Sequence, residues 1–315
     1  MNASIFGKRW VAITCSIICA LLWGAGFPVI KLGYGLVGID SANPFGTILF
    51  AGIRFFFAGL ITLPISKPWR TGAIKRTPSG AGMIIALALV QTVMQYLFQY
   101  IGICNTTGST SSIIGQSNVF LLCFLSPIFF TDDRLSPKKV IGCIIGFIGI
   151  VIVNISDGFR FSFGADGEML VLFASIAACA GFIMGKKISA NQNAAAVSSV
   201  QQIIGGAILI TVGLVGGGRF TKFEPLAIPV ILFLVLSAAI ANTLWTVLLK
   251  HNPVSCVSVY KFATPMFGMI FSALLLGEEI LRWNKIVSVI LVCIGIFTVN
   301  FTYSGRKKGV KNDSH

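Results

Sequence analysis

Long apolar blocks separated by short polar breaks constrain this chain more than any other feature of its sequence. A helix that crosses the hydrocarbon core of a bilayer needs about 20 consecutive apolar residues. We find ten such blocks, which cover approximately residues 10–30, 45–65, 81–103, 109–130, 139–155, 168–185, 195–214, 228–249, 254–276 and 284–303. The sequence therefore predicts an all-α integral membrane protein with ten transmembrane helices.

The small charged fraction argues against a soluble protein. Only 11% of the residues are charged, whereas a soluble domain needs about a quarter. The net charge of +14 would suggest nucleic acid in a soluble protein. Here the basic residues lie almost wholly in the breaks, so we interpret them as topology signals and lipid-headgroup contacts, and we expect no nucleic-acid partner.

The distribution of Lys and Arg residues predicts the orientation. If the N-terminus is cytoplasmic, sixteen of them fall in cytoplasmic segments and six in outside segments. With an even number of spans, both termini then lie in the cytoplasm. The basic pair Lys8 and Arg9 also resembles the start of a signal peptide. The apolar run after it is about 20 residues long and lacks a clear small-x-small cleavage site, so we interpret it as the first span.

The cysteines predict neither disulfides nor a metal site. No Cys-x-x-Cys pair occurs, and the two histidines are His251 and His315. Nearly all eight cysteines lie inside apolar blocks, where they pack as small apolar residues: Cys15, Cys19, Cys104, Cys123, Cys143, Cys179, Cys256 and Cys293. We expect no metal and no cofactor.

An internal repeat divides the chain into two halves. Asp132 through Asn154 matches Glu278 through Asn300 at a constant offset of 146 residues. We expect a first five-helix repeat over 1–155, a second over 156–303 and a basic cytoplasmic tail over 304–315. Because five is odd, the second repeat must be inverted in the membrane. Inverted repeats are the architecture of many secondary transporters.

Local motifs add a family resemblance. The motifs are Leu22-Trp23-Gly24-Ala25-Gly26-Phe27-Pro28, Arg54-Phe55, Ala58-Gly59, Thr264-Pro265-Met266-Phe267, Leu275-Leu276-Gly277-Glu278 and Ile294-Gly295. Through them the chain resembles, over nearly its whole length, the EamA-type carriers of the drug/metabolite transporter superfamily. It departs from the family where Val119 replaces a proline and Thr131-Asp132 replaces Gly-Glu. The resemblance implies transport of a small metabolite, within a range from amino acids and sugars to nucleotide derivatives and drugs.

Polar residues inside the spans are the candidate site, because such groups are costly in a bilayer unless they face a cavity. Lys261 lies inside the ninth span, and no acid occurs in any span core. We interpret Lys261 as the ligand of a substrate carboxylate or phosphate. The alternative is a structural lysine that bonds to carbonyls of a broken helix or reaches an aqueous vestibule.

Amides on the third and fourth spans extend this list. Gln91, Gln95 and Gln99 form one helical stripe, beside Thr92, Tyr96 and Tyr100. Such amides suit a polar substrate, or they bond helices to one another. The further candidates are Gln116, Asn118, Tyr260, Thr264 and Trp23 for substrate binding, and Gly24, Gly26, Pro28 and Pro265 as hinges. We interpret Arg54 as structural, bonded to backbone carbonyls, and Gly142 and Gly146 as packing residues.

These features favour a secondary carrier that works by alternating access. We expect it to move a small metabolite, with amino acids or other organic anions favoured, and to export it. The chain has no P-loop pattern, no acid in the first span for proton coupling, and no catalytic constellation, so we expect no enzyme. The alternatives are a carrier of neutral or cationic metabolites or drugs, a channel, and a scaffold.

We expect a bacterial inner membrane protein, monomeric or homodimeric, whose partners are its substrate and the lipid bilayer.

Overall fold

The described part of the chain folds into helices joined by short connections. A computed structural model describes residues 5–40, 43–70, 73–74, 77–106, 108–154, 164–277 and 283–309. Its uninterrupted long helices are α1 (Arg9–Val37), α2 (Pro44–Ser66), α5 (Pro137–Asn154), α6 (Glu168–Ser189), α7 (Ala194–Val215), α8 (Ala227–His251) and α10 (Trp283–Gly309).

Three further helices are interrupted. Helix α3 consists of Pro78–Ala88, a π-helical stretch Leu89–Met94, and Gln95–Cys104. Helix α4 consists of Gly108–Gly115 and Ser117–Phe129. Helix α9 consists of Val254–Ser258, a 3-10 stretch Val259–Ala263, and Thr264–Leu276.

The helices begin and end at local signals in the sequence. Asn43 accepts a hydrogen bond from the Phe45 amide at 3.0 Å, and Pro44 opens α2. Helix α1 ends at Gly38, whose φ of 65° suits glycine. Each of the ten predicted spans overlaps a helix, and α1 and α10 continue beyond their predicted ends at 30 and 303. Within the described residues, eight helices are long and apolar enough to cross a membrane, and α5 and α10 are not in that set.

Small residues allow the closest helix contacts. A Cβ on Gly206 of α7 would lie 2.4 Å from the Phe56 nitrogen of α2. On α5, a Cβ on Gly142 would lie 2.7 Å from the Gly295 oxygen of α10, and one on Gly146 would lie 2.8 Å from Phe262. The packing interpretation of Gly142 and Gly146 is therefore confirmed, as expected where apolar helices gain contact through backbone approach.

The helix contacts form matching sets. Helix α2 packs on α7, and α5 packs on α10. Helix α1 packs on α8 and α9, while α6 packs on α3 and α4. Helix α2 also contacts α8, and α7 also contacts α3.

The connections between helices gather at two ends of the bundle. At one end, Lys186 donates to Asp132 at 2.9 Å and to the Asn252 carbonyl at 2.9 Å. At the other end, Thr221 donates to the Gly38 carbonyl at 2.7 Å. We call the first the Lys186 end and the second the Gly38 end. The Lys186 end also holds the α2–α3 and α6–α7 connections, where the Asn193 amide donates to the Ala73 carbonyl at 2.8 Å and Lys250 donates to the Gln192 carbonyl at 2.5 Å. Helices α2 and α8 therefore run from one end to the other.

Candidate functional site

The interrupted helices bring polar residues into the bundle. The π-helical stretch of α3 contains Gln91 and Thr92, the break in α4 lies at Gln116, and the 3-10 stretch of α9 contains Lys261. Irregular turns of this kind are common at functional sites because they redirect side chains and free backbone groups. All three stretches coincide with residues that the sequence singled out.

Lys261 lies in a cage of aromatic rings. Its Nζ is 4.5 Å from the centroid of Phe182, 5.4 Å from Trp23 and 5.9 Å from Trp245. Cation–π attraction operates over about 6 Å and strengthens when the ion is desolvated. Trp23 and Trp245 also pack edge to face at 5.0 Å. Three helices, α1, α6 and α8, thus supply the rings around one ammonium group of α9, and we call this set the lysine cage.

The lysine cage leaves the ammonium group without an anionic partner. The ion pairs of the described residues involve Lys139, Lys186 and Lys222. No hydrogen bond joins Lys261 to a described residue, so the carbonyl bonds of the structural alternative are not found there. A partly accessible lysine without a counter-ion can bind an anionic group from outside the chain.

A chain of amides extends from the lysine cage across the bundle. The Trp23 Nε1 donates to Asn242 at 3.3 Å, and Asn242 donates to Gln202 at 3.1 Å. Gln202 in turn donates to the Ser198 carbonyl and hydroxyl, each at 3.2 Å. These bonds hold the Trp23 ring in place. Sequence reasoning missed Asn242 and Gln202, although both are polar residues inside apolar spans, the signal that selected Gln91.

The π-helical stretch places its polar side chains against the same region. A Cβ added to Gly181, the residue before Phe182, would lie 2.5 Å from the Cβ of Gln91. Thr92 donates to Gln201 of α7 at 2.8 Å. Gln91 therefore lies beside the helix that supplies Phe182, whereas Thr92 is used in bonding to α7.

Unpartnered polar atoms mark the break in α4. Among the described residues, Gln116 Oε1 and Asn118 Oδ1 are buried without a hydrogen-bond partner, and the same holds for Thr264 Oγ1 of α9. The Asn118 amide donates to the Gly115 carbonyl at 2.7 Å. Buried polar atoms are usually paired, so these acceptors are available to a ligand or to water.

Three of the sequence candidates lie apart from the lysine cage. Tyr96 packs on Phe55 at 4.5 Å and stacks on Tyr100 at 6.1 Å. Gln95 is partly exposed beside it. Tyr260 is buried and lines a crevice with Arg9. Tyr260 and Lys261 are adjacent in sequence, but their side chains reach different sites because they point to different faces of α9.

The predicted hinge residues all lie within helical segments. Helix α1 continues through Gly24, Gly26 and Pro28, and Pro265 lies in the first turn of the last segment of α9. A Cβ on Gly24 would be 2.7 Å from the Thr264 carbonyl, whereas one on Gly26 would meet nothing within 4 Å. Gly24 therefore permits a close crossing of α1 and α9, and the hinge role of all four stays a prediction.

Comparisons with known proteins agree with this architecture. The EamA-like transporter family model matches the chain twice, over residues 10–155 and 166–301. An uncharacterized transporter of Archaeoglobus fulgidus is 27% identical over 93% of this chain and 87% of its own length. The uncharacterized transporter YvbV of Bacillus subtilis is 24% identical over 91% of this chain and 90% of its own length.

A solved structure shares the fold. One crystal structure superposes with a TM-score of 0.77 at 15% identity, and the match covers 94% of this chain and 98% of that one. The family match spans nearly all of the described helices, which identifies a multi-pass membrane protein. On this evidence the chain belongs to the EamA-like transporter family, within the drug/metabolite transporter superfamily.

Proposed function

We propose that the protein is a secondary transporter that carries a small organic anion or amino acid across the membrane by alternating access, as an exporter. The observation that carries the proposal is the lysine cage, because it presents an ammonium group without an acid partner inside a membrane bundle. A charge in that position is costly unless it has a functional counter-ion. The substrate's carboxylate or phosphate is that counter-ion.

Two inverted five-helix repeats support the transport mechanism. The family model matches each half separately. If the two halves are related, each helix of α1–α5 corresponds to the helix five places later. The contacts of α1 with α8 and α9 then correspond to the contacts of α6 with α3 and α4. The α2–α7 and α5–α10 contacts each join a helix to its own counterpart. This assignment makes α5 and α10 the two remaining spans of ten. Two related halves can adopt two packings of similar energy, open to opposite sides.

Hydrogen bonds hold the Lys186 end together, and we assign this end to the cytoplasm. A buried cluster there joins the connection after α4 to the start of α9: Lys139 donates to Asp133 at 2.7 Å and to Ser255 at 2.6 Å. With this end in the cytoplasm, the protein is an inner-membrane carrier of a bacterium.

The test is ligand-induced thermal stabilisation of the purified protein in detergent, because a ligand that binds only the folded state raises the melting temperature. Malate, glutamate and inorganic phosphate are the anionic probes, and choline and glucose are the cationic and neutral ones. Lys261→Met removes the charge with little change in volume. Lys187→Met is the matched control, since Lys187 is an exposed lysine with its Nζ 4.5 Å from the Phe129 ring.

The proposal expects an anion to stabilise the wild type and Lys187→Met equally, and to stabilise Lys261→Met clearly less. Counterflow exchange of the same anion in proteoliposomes would then separate a carrier from a channel. Equal stabilisation of all three proteins by choline or glucose alone would instead favour a carrier of cationic or neutral compounds. In that case the amide chain and Gln91 become the site to pursue.

A further inference from the structure

A second cation lies inside the membrane bundle, apart from the lysine cage. Arg54 occupies the middle of α2, with its guanidinium carbon 4.6 Å from the centroid of the Phe55 ring. Its Nε is buried without a partner, and no described acid lies within ion-pair distance. The carbonyl bonds expected of a structural arginine are also missing among the described residues. Arg54 therefore needs another explanation.

Tyrosine side chains lie next to Arg54. Tyr96 packs at 4.5 Å on Phe55, the ring that Arg54 covers, and it stacks on Tyr100 at 6.1 Å. The Tyr34 hydroxyl is buried beside Tyr100, and the charge of Arg54 acts on it. A guanidinium group pairs with carboxylate or phosphate through two parallel bonds, and phenolic hydroxyls can donate to the same oxygens.

The cluster of Arg54 and its neighbouring tyrosines lies along the same helices as the lysine cage. Tyr34 follows Trp23 on α1 by three helical turns, so the two lie on nearly the same face and about 16 Å apart. Tyr100 is likewise displaced from Gln91 along α3 in the same direction. Both displacements lead towards the Gly38 end. This offset along α1 exceeds the length of a small metabolite, and we infer two separate sites.

We propose that Arg54, with Tyr34, Tyr96 and Tyr100, forms a second anion-binding site on the pathway between the Gly38 end and the lysine cage. It binds the carboxylate or phosphate of the transported solute before the solute reaches Lys261, or after it leaves. This inference rests on the proposed function for its biological meaning. The site itself is testable separately, because its arginine can be observed directly.

The experiment measures the rate at which phenylglyoxal, an arginine-specific reagent, modifies Arg54, with peptide mass spectrometry as the readout. The full-length protein is reconstituted in phosphatidylcholine vesicles. Malate, glutamate or inorganic phosphate is added, each against sodium chloride of equal ionic strength. Arg134, an exposed residue of the Lys186 end, is the internal control. At an anion concentration of about ten times its Kd, mass action predicts roughly tenfold slower modification of Arg54.

The proposal expects protection of Arg54 by at least one probe, unchanged modification of Arg134, and weaker protection in Tyr100→Phe. It is overturned if Arg54 is modified equally with and without every probe, if it does not react at all, or if Arg134 is protected equally. Protection by phosphatidylglycerol in the vesicles without any soluble anion would also overturn it, because the occupant would be a lipid headgroup.

Repeating the measurement in Lys261→Met separates the two proposals. Protection of Arg54 should persist there, since Lys261 belongs to the other site. If the anion stabilises wild type and Lys261→Met equally while Arg54 stays protected, the role of Lys261 fails and the Arg54 site stands. If stabilisation depends on Lys261 but Arg54 is never protected, the proposed function stands and the second site fails.

Discussion

At the scale of single residues, charges inside the helix bundle fall into two groups, those with and those without an acid partner. Lys261 and Arg54 make no ion pair with a described acid, whereas Lys139 is paired and hydrogen-bonded with Asp133. An unpaired charge inside a bundle is unstable unless a ligand or an aqueous cavity compensates it. The unpaired cations therefore indicate function, and the paired one indicates a structural connection.

The Asp133 connection has a definite pH dependence. Burial raises the pKa of Asp133, but the Lys139 ammonium and the hydrogen bonds from Lys139 and Ser255 outweigh burial, so its pKa is below the ordinary value. Because the pKa of Asp133 is lower in the folded state than its ordinary value, the ionised carboxylate stabilises the fold at pH values above that ordinary value. This contribution to the free energy of unfolding is lost as the pH falls through the lowered folded-state pKa.

We predict that Asp133→Asn lowers the free energy of unfolding by about 3–5 kcal/mol at neutral pH, because Lys139 is left buried and unpaired. Asp132→Asn is the control: the Asp132 side chain is 54% exposed, so its pair with Lys186 is largely screened and little stability is lost. Melting temperatures across an acid titration test this. The deficit of Asp133→Asn should shrink as the wild-type aspartate protonates, and a deficit independent of pH would contradict the assignment.

At the scale of helices, irregular turns orient the polar side chains of the candidate site, and small residues allow neighbouring helices to pack closely. The π-helical stretch of α3 and the 3-10 stretch of α9 present Gln91 and Lys261 to the bundle. Glycines such as Gly24 and Gly142 let backbones approach closely. The site thus depends on irregular turns that are supported by tight packing of neighbouring helices.

Gly24 and Gly26 form a matched pair within α1. We predict that Gly24→Ala lowers the melting temperature, because its Cβ would lie 2.6 Å from the Phe267 Cβ and overpacking costs about 1–3 kcal/mol. Gly26→Ala meets open space and should be neutral or stabilising by up to about 1 kcal/mol, because alanine favours helix. Thermal unfolding of both variants in detergent is the measurement, and equal destabilisation would refute the packing difference.

The same pair bears on the hinge prediction. If Gly26 is a hinge, Gly26→Ala should slow counterflow exchange without lowering the melting temperature, since the change acts on the transition between states. Unchanged exchange would remove Gly26 from the hinge residues.

At the scale of the whole molecule, the Lys and Arg distribution makes one prediction about orientation. Sixteen basic residues belong to the predicted cytoplasmic set, including Lys186 and Lys139 at the Lys186 end. We predict that green fluorescent protein fused to the C-terminus in a bacterial host is fluorescent and that alkaline phosphatase fused there is inactive. Phosphatase fused at Lys222, near the Gly38 end, should be active. The reverse pattern would invert the topology and place the Lys186 end outside.

The sequence by itself determined the apolar segments that fold into helices and the residue most suspected of binding substrate. Apolar blocks of helical length and a lysine inside one of them are local properties, so no partner had to be known. Only the tertiary structure decided that Trp23, Phe182 and Trp245 converge on Lys261, that Tyr96 belongs with Arg54, and that Asn242 joins the cage. The physical reason is that membrane helices are apolar nearly all round, so their hydropathy carries little information about which face meets which neighbour. That choice is made by close packing of small residues and by polar bonds between helices distant in sequence.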